Sequence, residues 1–340
     1  MATADDVAQE ALARPQRSKR AAIVNLVRWL AIAAVVGAAV WAVASHWSDA
    51  VETMRMVHPA SLALAFVLVL AGLVAGTASW QTILDGLGEP VGVLRGYQVC
   101  LVGQLGKYVP GSVWAYLLQM ELGRRYSIAR ARVLLTSLFA AGIGVVSSLV
   151  LGLAALPEIA HDHPSLRYLY VLIPFGLVFL HPRVMTWCAH LVFKVVRKPA
   201  PDLALRWPTV LKAFGWAMAS YALYGAQLWI LTNSIAEPSL GLLVMCIGAS
   251  GLGMTAGLFA FFLPSGLGAR EAVVIAVLAT TVTVGQATTL GLGSRILFTV
   301  GDLAIAGVAA AAASLAMRKG NADTDPGGGE GLAASPPAHP

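Results

Sequence analysis

The stretch GQLGKYVPGSVW at residues 103–114 interrupts an apolar segment with three glycines, a proline, a glutamine and a lysine. A second stretch, FFLPSGLGARE at 261–271, has the same character. Proline removes a backbone hydrogen-bond donor and clashes with the preceding helical turn, and glycine permits backbone conformations that reverse the chain. Both stretches therefore predict a break in an apolar helix, with charged side chains beside each break.

The composition around these stretches is typical of a helical membrane protein. Of the 340 residues, 58% are hydrophobic and 12% are charged, whereas a soluble domain has about 25% charged residues. The net charge of +6 fits basic loops and an anionic lipid surface, and we expect no nucleic-acid partner. The three cysteines lie far apart and have no metal-ligand spacing, so we expect neither a metal nor a cofactor.

Hydropathy predicts an all-α, polytopic membrane protein with about eight spans, because a span needs about 20 apolar residues. The predicted segments are 23–44, 60–80, 97–118, 133–156, 168–180, 209–232, two arms within 240–283, and 290–317. Segment 183–198 is amphipathic and is expected at the membrane interface. We divide the chain into a cytoplasmic tail (1–22), a membrane domain (23–318) and a disordered tail rich in Gly and Pro (319–340).

Basic clusters predict the orientation, since Lys and Arg concentrate in cytoplasmic loops. Clusters within 14–28, 124–132, 183–206 and 318–319 place both termini in the cytoplasm of a cell-membrane protein. Segment 97–118 then begins and ends inside, so it is expected to dip into the membrane and return. Region 240–283 either forms a second re-entrant hairpin from the outer face or crosses twice. Two hairpins would give an inverted repeat, as in many transporters.

Ionisable residues within the predicted spans are costly and mark functional candidates. Lys107, Arg270 and Arg295 are candidates for binding an anionic lipid head group, and Glu271 and Asp302 for charge balance or proton coupling. Arg295 and Asp302 share one helix face but are separated by about 10 Å of rise, which is long for a direct pair. In the purely structural alternative, Asp302 pairs with Arg270 or Lys107 and only holds the bundle together.

The two broken stretches resemble the signatures of a known family. GQLGKYVPGSVW, followed by ELGRRYSIARAR at 121–132, resembles the first signature of the lysylphosphatidylglycerol synthase transmembrane region, also called the flippase-like domain. FFLPSGLGAREAVV resembles the second, of the type P-x-G-x-G-x-R-E, and the resemblance covers 22–318. The positions that match the signatures are Lys107, Pro110, Gly111, Pro264, Gly266, Gly268, Arg270 and Glu271.

The resemblance implies an integral membrane protein that handles lipids. Some members move aminoacylated phosphatidylglycerol between leaflets, and others are associated with hopanoid transport or polyprenyl-linked glycosylation. Members that aminoacylate lipids carry a large cytoplasmic synthase domain after the membrane region. This chain has only a short tail there, so we expect no lipid aminoacylation.

The leading functional hypothesis is a flippase or transporter for an anionic lipid, either a phospholipid or a polyprenyl-phosphate-linked lipid. We expect no enzymatic activity, since neither a GxSxG nucleophile motif nor a GxxxxGK[ST] phosphate-binding loop is present. The alternative is a membrane enzyme or accessory factor in lipid-linked glycan assembly, with Glu271 as a base. Such a factor would work with a lipid-synthesis or glycosyltransferase partner. A structural scaffold is the third hypothesis.

Overall fold

The structure is a computed structural model that describes residues 26, 37, 40–41, 44–45, 47–109, 113–159, 168, 170–195, 205–260 and 263–323. Regular structure in these ranges is helical throughout, which confirms the all-α prediction. The α-helices are α1 (Trp47–Met56), α2 (Pro59–Gly86), α3 (Val93–Gln104), α4 (Val113–Arg125), α5 (Arg130–Ala154), α6 (Leu156–Ile159), α7 (Leu172–Phe179), α8 (Pro182–Val195), α9 (Trp207–Thr232), α10 (Leu240–Phe259), α11 (Ala269–Leu278) and α12 (Val284–Asp323). Short 3-10 turns occupy Leu105–Tyr108 and Pro264–Gly266.

Among the described residues, four helices are long and apolar enough to cross a membrane: α2, α5, α10 and the Val284–Ala312 part of α12. The pair α7 and α8 is bent by 80° and could count as a fifth span. The prediction of about eight spans is not confirmed, because α9 has the length but not the hydropathy of a span. The hairpin arms α3, α4 and α11 have only 10 to 13 residues. Most of the predicted span 23–44, like most of both tails, lies outside the described residues.

The centre of the bundle is built on the close contact of α2 with α9. Small residues allow this contact, as is common between membrane helices. Gly72 and Gly76 of α2 face Ser220 and Tyr224 of α9. The Ser220 hydroxyl donates to the Gly72 carbonyl at 2.8 Å, and the Ser79 hydroxyl donates to the carbonyl of Ala213 at 2.7 Å. Hydroxyl groups thus join the two helices where water is scarce.

The first break separates α3 from α4, which pack against each other as a hairpin. Gly106 lies in the turn, where an added Cβ would come within 2.7 Å of the Cα of Ala115. The absence of a side chain at Gly106 therefore lets the two arms approach. Pro110 and Gly111, which were predicted to make the break, lie outside the described residues.

The second break separates α10 from α11, and these helices also pack together. Its backbone turns through positive φ angles at Ser265 (51°), Gly266 (64°) and Gly268 (87°). The break thus falls in the predicted P-x-G-x-G segment, which begins at Pro264. With 10 residues, α11 rises only about 15 Å, too short to cross a bilayer. The re-entrant position of both hairpins and the inverted repeat remain predictions.

The two breaks meet inside the molecule. The turn Leu105–Tyr108 contacts the turn Pro264–Gly266, and α12 passes beside both hairpins. Helix α12 carries Arg295 and Asp302, so the packing places charged side chains from three parts of the sequence in one region.

Candidate functional site

A cavity of about 350 Å³ lies where the two breaks meet. Helices α2, α3, α4, α5, α9, α10, α11 and α12 contribute to its wall together with both turns. Four of the charged residues singled out in the sequence line it: Lys107, Arg270, Arg295 and Asp302. The fifth, Glu271, contacts Arg295. The structure therefore brings the five predicted charged residues into one site.

The first ion pair joins the first hairpin to α12. The Lys107 ammonium lies 2.7 Å from Oδ2 of Asp302, and the side chains are 28% and 7% exposed. The Tyr108 hydroxyl donates to the same oxygen at 2.6 Å. Two donors from the first turn thus meet on one carboxylate oxygen of α12. Of the two partners proposed for Asp302 in the structural alternative, Lys107 is the one it contacts.

The second ion pair joins the second break to α12. One guanidinium nitrogen of Arg295, Nη1, lies 3.1 Å from Oε1 of Glu271 and donates to the carbonyl of Ser265 at 3.0 Å. The other oxygen of Glu271 accepts from the backbone N–H of Gly268 at 2.7 Å. Glu271 lies in the first turn of α11, where a negative charge interacts favourably with the helix dipole. Both of its oxygens are therefore engaged.

Arg270 differs from the other two cations. It is only 7% exposed, yet its guanidinium makes no hydrogen bond or ion pair with the residues that the structure describes. Its close contact is the ring of Phe298, whose centroid lies 3.8 Å from the guanidinium carbon. Phe298 in turn packs edge-to-face on Tyr224, with centroids 4.7 Å apart. The aromatic ring holds the cation without neutralising it.

The site has a net positive charge. Three cations (Lys107, Arg270 and Arg295) and two carboxylates (Glu271 and Asp302) give +3 − 2 = +1. The undescribed segments beside the two breaks, 110–112 and 261–262, read PGS and FF and contain no ionisable side chain. A buried charge is stable only with a partner. The cavity is therefore suited to an anion, with Arg270 as its contact.

Sequence reasoning missed the aromatic residues that complete the site. Phe298 lies on the same face of α12 as Arg295 and Asp302, so helical spacing could have indicated it. Tyr108 follows Lys107 directly in the sequence, but neighbouring positions do not predict that both side chains contact the same carboxylate, that of Asp302. Within the described part of the chain, no group of three His, Cys, Asp or Glu side chains could hold a metal ion.

Comparison with known proteins places the whole membrane region in one family. The family model described as the lysylphosphatidylglycerol synthase TM region matches residues 28–307. The match spans both broken stretches and all five charged residues of the cavity. No curated protein was found to match the chain. A match over more than half of the 340 residues, together with helices suited to a membrane, shows an integral membrane protein. The chain belongs to the lysylphosphatidylglycerol synthase transmembrane region family.

Proposed function

We propose that this protein is a flippase that moves an anionic lipid between the leaflets of the cell membrane. The observation that carries the proposal is Arg270, a buried cation at the cavity wall that contacts no carboxylate of the described residues. A phosphate in the cavity would supply the missing partner through charge-assisted hydrogen bonds. The acyl or prenyl tails would stay in the bilayer while the head group enters between the helices.

The two ion pairs support this proposal because they couple the broken helices to α12. Lys107–Asp302 connects the first hairpin to α12, and Arg295–Glu271 connects the second. A movement of either hairpin relative to α12 would therefore change the cavity. In this scheme Asp302 and Glu271 balance charge while the hairpins open the cavity toward one leaflet at a time.

The engagement of Glu271 supports transport over the alternative of an enzyme. A general base must reach the proton that it removes. Glu271 is not among the residues that line the cavity, and its two oxygens already accept from Arg295 and from the N–H of Gly268. Mass spectrometry of lipids from a deletion strain separates the alternatives. A missing lipid species would favour chemistry, and an unchanged inventory with altered sidedness would favour transport.

The direct test is transport in reconstituted vesicles. Fluorescent phosphatidylglycerol or a polyprenyl phosphate is placed in one leaflet, and its appearance in the other is followed with the intact protein and with Arg270→Gln. We expect the variant to reduce the rate at least about tenfold, because it removes a buried charge-assisted contact. Arg206→Gln is the matched control, since Arg206 is exposed at the start of α9.

Protein that elutes as a single folded species but leaves every anionic lipid in its original leaflet would contradict the proposal. Equal rates for the intact protein and Arg270→Gln would also contradict it, because the cavity cation would then have no part in transport.

A further inference from the structure

We propose that the cavity selects lipid head groups with a single negative charge, that is phosphodiesters, over head groups with two charges such as phosphomonoesters. This inference rests on the proposed function and specifies the substrate class of the same site. The same chemistry could come from a lipid or from a small soluble phosphodiester, so the experiment below tests both.

In the site without a ligand, the charges of four of the five groups cancel in pairs. Before a ligand binds, Lys107 is paired with Asp302 and Arg295 with Glu271. Arg270 alone among these five groups has no partner of opposite charge in the described part of the chain. One negative charge therefore makes the site neutral, and a second leaves a negative charge without compensation.

The other two cations, Lys107 and Arg295, do not compensate a second negative charge on the head group. The Lys107 ammonium and the Arg295 guanidinium keep N–H donors that could reach a phosphate oxygen. Their charges, however, are already balanced by Asp302, which is 7% exposed at its side chain, and by Glu271. A second phosphate charge could therefore be neutralised only if a buried carboxylate lost its compensation, which is costly in a water-poor site.

The rest of the cavity wall offers polar groups without charge. Gln104, Tyr116, Gln119 and Tyr221 line the cavity. These side chains can donate to the ester oxygens and hydroxyls of a head group. They cannot neutralise a second charge. The wall therefore suits a phosphodiester that carries a neutral polar substituent, such as a glycerol or sugar.

The experiment compares two lipids with identical acyl chains, phosphatidylglycerol and phosphatidic acid. Binding to the intact, detergent-solubilised protein is measured at about pH 8, where a phosphomonoester carries close to two negative charges. We expect phosphatidylglycerol to bind at least about tenfold more tightly, because one uncompensated buried charge is penalised.

Variants that remove one carboxylate test the charge count directly. Asp302→Asn and Glu271→Gln each raise the net charge of the site to +2, and each should lower the preference for phosphatidylglycerol at least about tenfold. Combining Lys107→Met with Asp302→Asn returns the charge to +1 and should restore the preference. This double variant also shows whether the effect comes from charge or from damage to the fold.

Glu121→Gln is the matched control. Glu121 lies at the surface, where the hydrogen bond from Arg124, followed by that from Arg130, lowers its pKa. Glu121 does not line the cavity, so its replacement removes a carboxylate outside the site and should leave the preference unchanged.

Competition with soluble phosphate compounds shows whether the site recognises the phosphodiester itself or needs a lipid. Glycerophosphoglycerol should compete with bound phosphatidylglycerol, and inorganic phosphate at the same concentration should not. Stronger competition by inorganic phosphate, or equal binding of the two lipids to the intact protein, would overturn the inference. Failure of both anionic lipids to bind would instead contradict the proposed function itself.

Discussion

At the residue scale, the site consists of two neutralised ion pairs and one cation held by an aromatic ring. Arg270 and Phe298 form the contact that distinguishes this arrangement from a set of structural salt bridges. Its energy depends on ring geometry, because a cation is attracted to the ring face and a desolvated contact contributes about 2 kcal/mol. Phe298 is therefore a positioning residue for Arg270.

Replacing Phe298 with Leu should weaken phosphatidylglycerol binding by about fivefold to tenfold, because the guanidinium loses the face that orients it. Phe298→Tyr keeps the ring and should retain most of the affinity. Lipid affinity and thermal stability are measured for both variants. A loss of stability in Phe298→Leu with unchanged affinity would show that the ring serves packing alone.

The ion pair between Lys107 and Asp302 gives a second prediction at this scale. Removing one partner of a buried pair leaves the other uncompensated. Since Lys107 is partly exposed, we expect Asp302→Asn to cost about 2 kcal/mol of unfolding free energy, with part of the loss recovered when Lys107→Met is added.

Unfolding of the single and double variants in detergent measures this coupling. The surface pair Glu121–Arg124 is the reference, because an exposed pair contributes less than about 1 kcal/mol. If the changes in unfolding free energy for the substitutions at 107 and 302 simply add up in the double variant, the contact contributes nothing to the fold.

At the scale of elements, the breaks are defined by backbone geometry. Gly266 has φ = 64°, and an added Cβ would collide with the backbone of Gly257 on α10. Both features require glycine, since other residues are strained at positive φ and cannot fit the gap. The break therefore fixes how closely α10 and α11 approach.

Gly266→Ala should destabilise the protein by about 2 kcal/mol or more and should also reduce transport, because α11 carries Arg270. Gly293→Ala is the control, since it lies in α12 with open space around its Cβ position. Alanine at 293 should be neutral or stabilising, by up to about 1 kcal/mol. Thermal unfolding of both variants measures the difference, and similar behaviour would refute the geometric argument.

At the scale of the whole molecule, the proposed transport depends on how the hairpins lie in the membrane. Helix α11 is too short to cross a bilayer, which favours a re-entrant hairpin over two crossings. The orientation expected from the basic clusters would let that hairpin enter from the outer face. Ser265 lies in its turn and lines the cavity, so its accessibility reports the side from which the cavity is open.

A single cysteine at Ser265, in a protein whose three native cysteines are replaced, should react with an impermeant maleimide only from outside. Met54→Cys and Ala129→Cys, both at exposed positions, are the expected outer and inner references. Labelling of Ser265→Cys from the cytoplasmic side would instead show that region 240–283 crosses the membrane twice, with Ser265 at a cytoplasmic turn.

The sequence by itself determined that the protein is an all-α membrane protein, where the second break lies, and which five charged side chains are candidates for the site. These properties depend on composition and on local backbone sterics, as at Gly266 and Gly268. The family followed from the same residues. The predicted number of about eight spans is not confirmed, because the arms α3, α4 and α11 have only 10 to 13 residues and α9 has the length but not the mean hydropathy of a span.

Only the tertiary structure decided the pairing of the charges. Tyr108 and Asp302 are 194 positions apart in the chain, and no sequence spacing indicates that they share a contact. The sequence left Asp302 with two possible partners, and the packing of α12 against the first turn selected Lys107. Within the described part of the chain, that selection leaves Arg270 without a carboxylate contact, because Asp302 pairs with Lys107 and Glu271 pairs with Arg295.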